Sequence, residues 1–182
     1  MGITKFLKSG RIVVNTFDKQ IVISDSGMTM PYESISISEW GLVYEKYVGQ
    51  VLEEEGYDVT YNGLNKGFLD RGVDLIAHKE NQIHFMQCKF TRGNISKSRI
   101  DWILYKASRI LLDTYTKEKK KLFFTLIVSN KEECFSKHIP KNFKLNFTET
   151  SKIDYPMIQY FLDHNHIQNK IVLEFREIEM KR

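Results

Sequence analysis

The segment DRGVDLIAHKENQIHFMQCKF, residues 70–90, decides the fold and contains the candidate site. Residues 73–79 and 82–90 are rich in β-branched, aromatic and other apolar side chains, which is typical of two strands. Only Glu80 and Asn81 separate the two runs. The segment therefore predicts an antiparallel β-hairpin at the centre of the chain.

The pairing of these strands depends on the length of their connection. A two-residue turn places Lys79 opposite Gln82 and Asp74 opposite Gln87, and a symmetric four-residue loop keeps the same pairs. Glu-Asn is not a favoured hairpin turn, so a longer loop stays open, and one with an odd number of residues would break the pairing. Opposed residues have Cβ atoms about 5 Å apart on one face, and Lys89 emerges on the face of Gln87 because side chains alternate. A carboxylate, an amide and an ammonium group are therefore expected to converge.

The flanking segments predict a mixed α/β fold. Ser36 and Ser98 each stand three residues before an acidic residue, a capping-box pattern that marks a helix start. The predicted elements outside the hairpin are, in chain order, strands at 11–17 and 20–24, a turn-like stretch at 27–34, a helix from 36 to a stop at Gly56, a strand at 57–61, an Asn- and Gly-rich loop at 61–72, a helix at 98–116, a strand at 122–129 buried on both faces, short helices near 132 and at 155–163, and a strand at 171–178. Such an order predicts one central sheet between flanking helices.

Length and composition exclude several classes of protein. The chain has 182 residues, 42% hydrophobic and 27% charged, which is the balance of a globular protein of one ordinary domain. No apolar run approaches the ~20 residues that a membrane helix needs, and residues 1–12 lack the apolar centre of a secretory signal. Cys88 and Cys134 have no neighbours at metal-ligand spacing, which excludes a disulfide scaffold and a zinc ribbon and predicts a cytoplasmic location.

Basic residues are concentrated in one part of the chain. The formal net charge is +4, but residues 85–121 contain ten Lys and Arg against three Asp and Glu. Such a stretch is either a solvated helix face or a surface that binds the phosphate backbone of a nucleic acid. The candidates for backbone contacts, which position DNA without specifying its sequence, are Arg92, Lys97, Arg99, Lys106 and Arg109.

The residues expected to converge on the hairpin suit metal-assisted chemistry. Asp74 and Gln87 offer hard oxygen ligands of the kind that Mg²⁺ binds, and Glu45 on the preceding helix could add a second carboxylate. Lys89 could hold its charge beside a phosphate oxygen or orient an attacking water. Together these groups predict hydrolysis of a phosphodiester by a metal-activated water.

Each of these residues also has a simpler interpretation. Asp74 could end a loop, Gln87 could be a half-exposed strand residue, and Lys89 could protect a sheet edge from pairing. Glu45 could be one of several solvated glutamates on its helix. Their joint placement favours a site, because they lie on two paired strands that follow one helix and precede a basic one.

A longer set of motifs resembles a known family. The motifs GLVYE (41–45), LEEEGY (52–57), DRGVDLIA (70–77) and QCK (87–89) are similar to those of Mrr-type restriction endonucleases. These enzymes are members of the PD-(D/E)xK nuclease superfamily, in which Gln often replaces the second acidic residue. The resemblance covers residues 41–129. It implies a restriction-endonuclease-like α/β core of order αβββαβ, here with an N-terminal β-hairpin and a C-terminal extension.

The resemblance also implies a DNA endonuclease that depends on Mg²⁺ or Mn²⁺. By position, Asp74 corresponds to the central metal-binding aspartate, Gln87 to the variable second ligand and Lys89 to the catalytic lysine. Glu45 corresponds to the acidic residue of the first helix. The backbone carbonyl of Cys88 is then a further expected metal ligand.

Further expectations concern the loop before Asp74 and the division of the chain. Asp70 corresponds to the first aspartate of a glycine-containing loop, and Gly72 is expected to let the backbone turn close to the site. The expected regions are an N-terminal β-hairpin extension at 1–35, a nuclease core at 36–130 and a C-terminal extension packed on that core at 131–182. The first region is too short for the winged-helix DNA reader of longer relatives, so target recognition is not inherited.

The resemblance leaves the substrate and the assembly open. Cutting both strands of a duplex with one site per chain predicts a homodimer. Holliday-junction resolvases and repair nucleases use the same core, and the motif does not separate them from restriction enzymes. A non-catalytic DNA-binding or assembly module that kept the fold is the alternative from another class, and a mobile-element protein with its own substrate also stays open.

Overall fold

The central hairpin is also the centre of the observed fold. A computed structural model describes residues 1–70, 72–115, 120–135 and 172–182. Its helices and strands are, in chain order, α1 (Ile3–Lys8), β1 (Ile12–Asn15), β2 (Gln20–Ile23), β3 (Thr29–Pro31), α2 (Glu39–Glu54), β4 (Asp58–Tyr61), α3 (Asn62–Lys66), β5 (Leu75–Lys79), β6 (Gln82–Lys89), α4 (Lys97–Tyr115), β7 (Lys121–Val128), α5 (Lys131–Phe135) and β8 (Val172–Glu177).

Five strands form one mixed sheet in the order β4-β5-β6-β7-β8. The first three are paired antiparallel, whereas β6 with β7 and β7 with β8 are paired parallel. Helix α4 connects β6 to β7, because parallel neighbours need a crossover connection. Helix α2, three strands, helix α4 and β7 follow in the predicted order. The predicted fold class, a restriction-endonuclease-like α/β core, is confirmed.

The hairpin of β5 and β6 has the register that the sequence predicts. Lys79 pairs with Gln82, and the pairing continues without interruption to the start of β5. The connection is therefore the two-residue turn. Glu80 in this turn has a φ of 52°, in the left-handed region that glutamate rarely adopts. The Asn81 carbonyl accepts a hydrogen bond from the Lys121 N–H at 3.1 Å, which ties the turn to the next strand.

Different parts of the chain cover the two faces of the five-stranded sheet. Phe85 packs in the core cluster that contains the buried side of α4, whereas Met86 and Cys88 pack with α2 and the N-terminal strands. Because side chains alternate along a strand, Gln87 and Lys89 belong to the α4 face. Strand β7 is buried from its second residue to its last, as expected for a strand covered on both faces.

The N-terminal hairpin is confirmed and is larger than predicted. Strands β1 and β2 pair antiparallel, and β3 adds a third strand within the stretch that was expected to be a turn. Helix α1 has no counterpart among the predicted elements, and it buries Ile3, Phe6 and Leu7 against the α2 side of the core. It has six residues and no side-chain cap hydrogen bond, so its formation depends on tertiary packing and not on a local signal.

The two predicted helix caps have opposite outcomes. The two hydrogen bonds of the capping box at Ser36 are present, since the Glu39 N–H donates to Ser36 Oγ at 3.3 Å and the Ser36 N–H donates to Glu39 Oε2 at 2.8 Å. The helix itself begins at Glu39, later than the predicted start at residue 36. The predicted cap at Ser98 is wrong. Helix α4 begins at Lys97, so Ser98 is already in its first turn, and the Arg99 N–H donates to Ser96 Oγ at 3.2 Å. The hydroxyl that caps the helix is therefore that of Ser96.

The remaining predicted elements are confirmed in part. Gly56 follows the end of α2 with a φ of 87°, and α5 and β8 are the short helix and closing strand that were expected. The stretch 61–72 is not a loop throughout, because α3 lies within it. The predicted helix at 155–163 lies outside the described residues. Among the helices that are described, none has the length and apolar character needed to cross a membrane.

The last described strand is attached to helix α2 and to β7. The buried Tyr44 of α2 donates its hydroxyl hydrogen to the Ile178 carbonyl at 2.9 Å. The Ile178 N–H in turn donates to the Val128 carbonyl at 3.0 Å. Two residues further on, the Met180 N–H donates to Ser129 Oγ at 3.0 Å. Ile178 and Met180, which follow β8, are thus part of the core.

Candidate active site

Asp74 and Gln87 meet at the end of the central hairpin. The Asp74 N–H donates to the Met86 carbonyl at 2.8 Å, which extends the backbone pairing to the residue before β5. The Asp74 carboxylate accepts two hydrogen bonds through Oδ2, one from Gln87 Nε2 and one from the Cys88 N–H at 2.7 Å. The side chains of Asp74 and Gln87 are both buried. Their contact follows from the predicted register.

Glu45 reaches the same place from helix α2. Its Oε2 atom is buried and has no hydrogen-bond partner among the described residues. The carboxylate lies against Gly63 in α3, where an added Cβ would come within 2.5 Å of Oε2. Gly63 is held beside Asp74, because its N–H donates to the Asp74 carbonyl at 2.7 Å. An unpaired buried polar atom costs about 1–3 kcal/mol and a charged one costs more, a cost that a bound cation would remove.

The loop before Asp74 adds a third carboxyl group. Asp70 Oδ1 accepts the Gly72 N–H at 2.7 Å, a local turn that aspartate often forms, and the nearby Asp70 carboxyl contributes to the raised pKa of Asp74. Gly72 has a φ of 75°, which glycine adopts without strain. An added Cβ at this position would lie 3.3 Å from Lys106 Cε and 3.5 Å from Gln87 Oε1. The backbone therefore passes close to both side chains.

Burial and mutual repulsion change the acidity of the carboxyl groups. Burial raises the pKa of Glu45, the charges of Asp74 and Asp70 raise it further, and Lys89 opposes this shift. Burial also raises the pKa of Asp74, while the Cys88 N–H and the Lys89 ammonium lower it in part. Lys89 thus lies close enough to act on both carboxylates. With three acidic groups around this one ammonium, the site favours an additional positive charge.

Cys88 contributes to the site through its backbone. Burial raises the pKa of its thiol well above the usual value, and the side chain packs in the core on the α2 side. A thiol in such a setting stays protonated at neutral pH, so it is a poor nucleophile and a poor metal ligand. The part of Cys88 that contacts Asp74 is its peptide group, through the N–H.

A divalent cation fits the chemistry of these donors. Glu45 and Asp74 supply carboxylate oxygens, Gln87 supplies an amide oxygen after rotation of its amide group, and Cys88 supplies a carbonyl, all of which are hard ligands suited to Mg²⁺ or Mn²⁺. The unpaired Glu45 oxygen and the raised carboxyl pKa values are what a nearby cation would relieve. Within the described ranges, no three His, Cys, Asp or Glu side chains are grouped so as to hold a metal by themselves. The amide and carbonyl oxygens would therefore be needed.

A comparison with known families covers most of this chain. Residues 43–172 match the sequence model of the family Mrr_cat_2, described as restriction endonuclease, and this stretch includes Glu45, Asp74, Gln87 and Lys89. The chain belongs to this restriction endonuclease family. The resemblance inferred from the motifs is confirmed, and the restriction endonuclease domain makes the protein a nuclease by family. No curated protein matches the chain significantly.

Two residues that the sequence motifs did not single out support the site of this restriction endonuclease domain. Asn62 is buried, and its Nδ2 donates to the Asp70 carbonyl at 3.1 Å and to the Val73 carbonyl at 2.6 Å. Gly63 provides the space for the Glu45 carboxylate. The available signal was the Asn-Gly pair itself, but such pairs are typical of exposed turns. The pattern therefore indicated a loop and not a support for the site.

The basic candidates of the restriction endonuclease domain lie in and before α4. Arg92 precedes the helix and Arg99 lies in its first turn, and both are exposed. Lys106 is half-buried, and its aliphatic carbons approach Gly72. Their role in binding DNA stays a prediction. The two candidates whose side chains lie outside the described ones are Lys97 and Arg109.

Proposed function

We propose that this restriction endonuclease domain is an Mrr-like DNA endonuclease that hydrolyses phosphodiester bonds with Mg²⁺ or Mn²⁺. The observation that carries the proposal is the contact between the Asp74 carboxylate, the Gln87 amide and the Cys88 peptide beside the unpaired Glu45 oxygen. A structural aspartate at a strand end would not need a second, unpaired carboxylate next to it.

The residues divide into two roles. Glu45, Asp74, Gln87 and the Cys88 carbonyl would hold the cation, which supplies Lewis acidity and lowers the pKa of a bound water. Gln87 would turn its amide oxygen inward, exchanging its present hydrogen bond to Asp74 for a metal contact. Asp70 is proposed to hold the loop at Gly72 in place beside Asp74.

Lys89 is proposed to act on the reacting phosphate. It belongs to the face of Gln87, and its charge already acts on Glu45 and Asp74. An ammonium held there stabilises the negative charge that develops on the phosphate oxygens and orients the water that attacks. A bound cation would neutralise the negative charge of Glu45 and Asp74 in place of Lys89. The Lys89 ammonium would then be able to interact with the phosphate of the substrate.

DNA is the proposed substrate and the homodimer the proposed assembly. Arg92, Arg99 and Lys106 would contact phosphates, since basic side chains release counterions from the backbone and bind without reading sequence. A homodimer follows from cleavage of both strands with one site per chain.

Cleavage of supercoiled plasmid DNA tests the nuclease proposal. The wild-type chain is expected to nick plasmid with Mg²⁺ or Mn²⁺ and to lose this activity with a chelator. Asp74→Asn and Lys89→Met should abolish nicking, whereas the exposed positions Asp25→Asn and Lys8→Met should cleave like wild type and control for the loss of one charge. Equal nicking by all five proteins would mean a contaminating nuclease, and no nicking by wild type would favour a non-catalytic module that kept the fold.

A further inference from the structure

Two aromatic side chains are stacked on the outer surface of helix α4. Trp102 is 50% exposed and Tyr105 is 41% exposed. Their ring centroids are 5.6 Å apart and their planes differ by 25°, so each ring is held by the other. Trp and Tyr are enriched at interaction surfaces, because each combines a large apolar ring with a polar atom. The expected solvated helix face would carry charged side chains at these positions.

The aromatic pair lies between basic residues on one side of the helix. Arg99, Trp102 and Lys106 are spaced by three and four residues, which places them in one stripe along a helix. Ile100, Ala107 and Leu111, on the side of the helix opposite to Trp102, are buried against the sheet. We call Arg99, Trp102, Tyr105 and Lys106 the α4 stripe. It combines an aromatic platform with two cationic side chains.

The α4 stripe begins at the candidate active site. Lys106 approaches Gly72 through its Cβ and Cε atoms, and Gln87 Oε1 lies next to the same glycine. Trp102 is four residues from Lys106, about 6 Å along the helix axis. A DNA strand whose phosphate contacts the site beside Gln87 could therefore continue past Lys106 and onto the aromatic pair.

The chemistry of the stripe fits unpaired nucleotides. Bases stack on aromatic side chains while cationic side chains follow the backbone, and this combination is how proteins bind single strands without reading sequence. In a perfect duplex each base face is covered by its neighbours, so the platform has no surface to stack on. A base becomes available when it is unpaired in a single strand, flap or junction, or when it is displaced from the helix.

We propose that the α4 stripe binds an unpaired nucleotide of DNA next to the phosphate that is cut. DNA with unpaired bases beside the cleavage position is then bound more tightly than perfect duplex of the same length. The link to cleavage depends on the proposed nuclease function, but the binding itself does not, because stacking and phosphate contacts need no metal.

Tryptophan fluorescence measures this binding directly. The chain has two tryptophans, of which Trp40 is buried and Trp102 is half-exposed. Titration of the full chain with single-stranded oligothymidylate, in the presence of a chelator, should quench the emission of Trp102. Trp102→Phe should lose the quenching and keep the affinity, because a phenyl ring still stacks. Trp102→Ala and Tyr105→Ala should weaken binding of the single strand by about 5- to 150-fold, the range for loss of one stacked base.

A matched control and the duplex complete the experiment. Phe17 is an exposed aromatic residue in the N-terminal hairpin, so Phe17→Ala should bind like wild type. Duplex of the same length should bind more weakly than the single strand and respond little to Trp102→Ala. Equal loss of single-strand and duplex affinity in Trp102→Ala, or absence of quenching in wild type, would overturn the proposal.

Two further measurements distinguish nucleotide binding from a subunit contact and from the cleavage step. If Trp102→Ala converts a dimer to a monomer in sedimentation and keeps its single-strand affinity, the stripe is a subunit interface and the inference is wrong. Asp74→Asn should lose plasmid nicking and keep the quenching. If instead Asp74→Asn nicks like wild type while the quenching is present, the nuclease proposal fails and the nucleotide site stands.

Discussion

The carboxylate of Glu45 occupies space that is available only because residue 63 is a glycine. A Cβ at Gly63 would lie 2.5 Å from Glu45 Oε2 and 3.4 Å from the Asp74 Cα. The closer contact is to the end of a flexible side chain, which can move at little cost. The contact with Asp74 is ordinary. A small side chain at this position would therefore displace the carboxylate without unfolding the protein.

Gly63→Ala is expected to separate activity from stability. We expect at least a tenfold loss of plasmid nicking, because Glu45 is pushed from its position beside Asp74, and a change in the free energy of unfolding within about 1 kcal/mol. Urea denaturation and nicking rates measure the two effects. Gly41→Ala in α2 is the matched control, since an added Cβ there meets nothing within 4 Å. Loss of stability in Gly63→Ala in proportion to lost activity would contradict this account.

Gly72→Ala tests the close approach between the loop and Lys106. The left-handed φ of 75° penalises any Cβ by about 1–2 kcal/mol, and the added atom would also press on Lys106 Cε at 3.3 Å. Gly27 has a φ of 69° with nothing within 4 Å of its Cβ position, so Gly27→Ala reports the backbone strain alone. We expect a larger loss of stability for Gly72→Ala and a loss of nicking that Gly27→Ala does not show. Equal effects of both substitutions would mean that the approach to Lys106 is unimportant.

The stability of the metal-free protein is expected to fall as the pH rises. The folded-state pKa values of Glu45 and Asp74 are raised by burial, so protonated carboxyls are favoured in the fold. This stabilisation is complete when the pH is below the ordinary carboxyl pKa of about 4. It is lost as the pH rises through the raised folded-state pKa values of the two groups. Urea denaturation in chelator across this range should show the decline, and Glu45→Gln should reduce it. The exposed Glu33→Gln controls for one lost charge, and an unchanged decline in Glu45→Gln would be evidence against the assignment.

Divalent cations are expected to reverse that loss. A ligand that binds only the folded state stabilises it by about 2.7 kcal/mol at a concentration a hundred times its dissociation constant. Mn²⁺ or Mg²⁺ should therefore raise the Tm of wild type at neutral pH. Asp74→Asn should show little of this increase, because it removes a carboxylate of the proposed site, while Asp25→Asn should show all of it. A rise of the same size in Asp74→Asn would place the cation elsewhere.

The sequence alone predicts those features of the fold that are determined by residues close together in the chain. Alternation and the two-residue turn were sufficient for the register that brings Asp74 to Gln87, and the buried strand β7 follows from its continuous apolar run. Helix α1 and strand β3 escaped prediction because they are short and form against the rest of the core. The cap of α4 was placed at Ser98 because Asp101 follows three residues later, but the backbone of the folded chain brings the Arg99 N–H to the Ser96 hydroxyl.

The supports of the candidate site were beyond local prediction for a different reason. The space at Gly63 exists for Glu45, which lies on another element of the fold, and the hydrogen bonds of Asn62 reach the carbonyls of Asp70 and Val73 across a folded loop. Their purpose is visible only when α2, α3 and the hairpin are in place. The residue types alone indicate the chemistry of the site, but the space for the Glu45 carboxylate is visible only in the folded structure.

The hydrogen bond from Tyr44 to the Ile178 carbonyl has a practical consequence for anyone who modifies this protein. Tyr44 precedes Glu45 directly, so a change that displaces the residues after Glu177 pulls on the helix turn that carries a proposed cation ligand. A substitution within residues 178–180 can therefore reduce activity by moving Glu45, and loss of activity in such a variant would not mean that those residues contact the substrate.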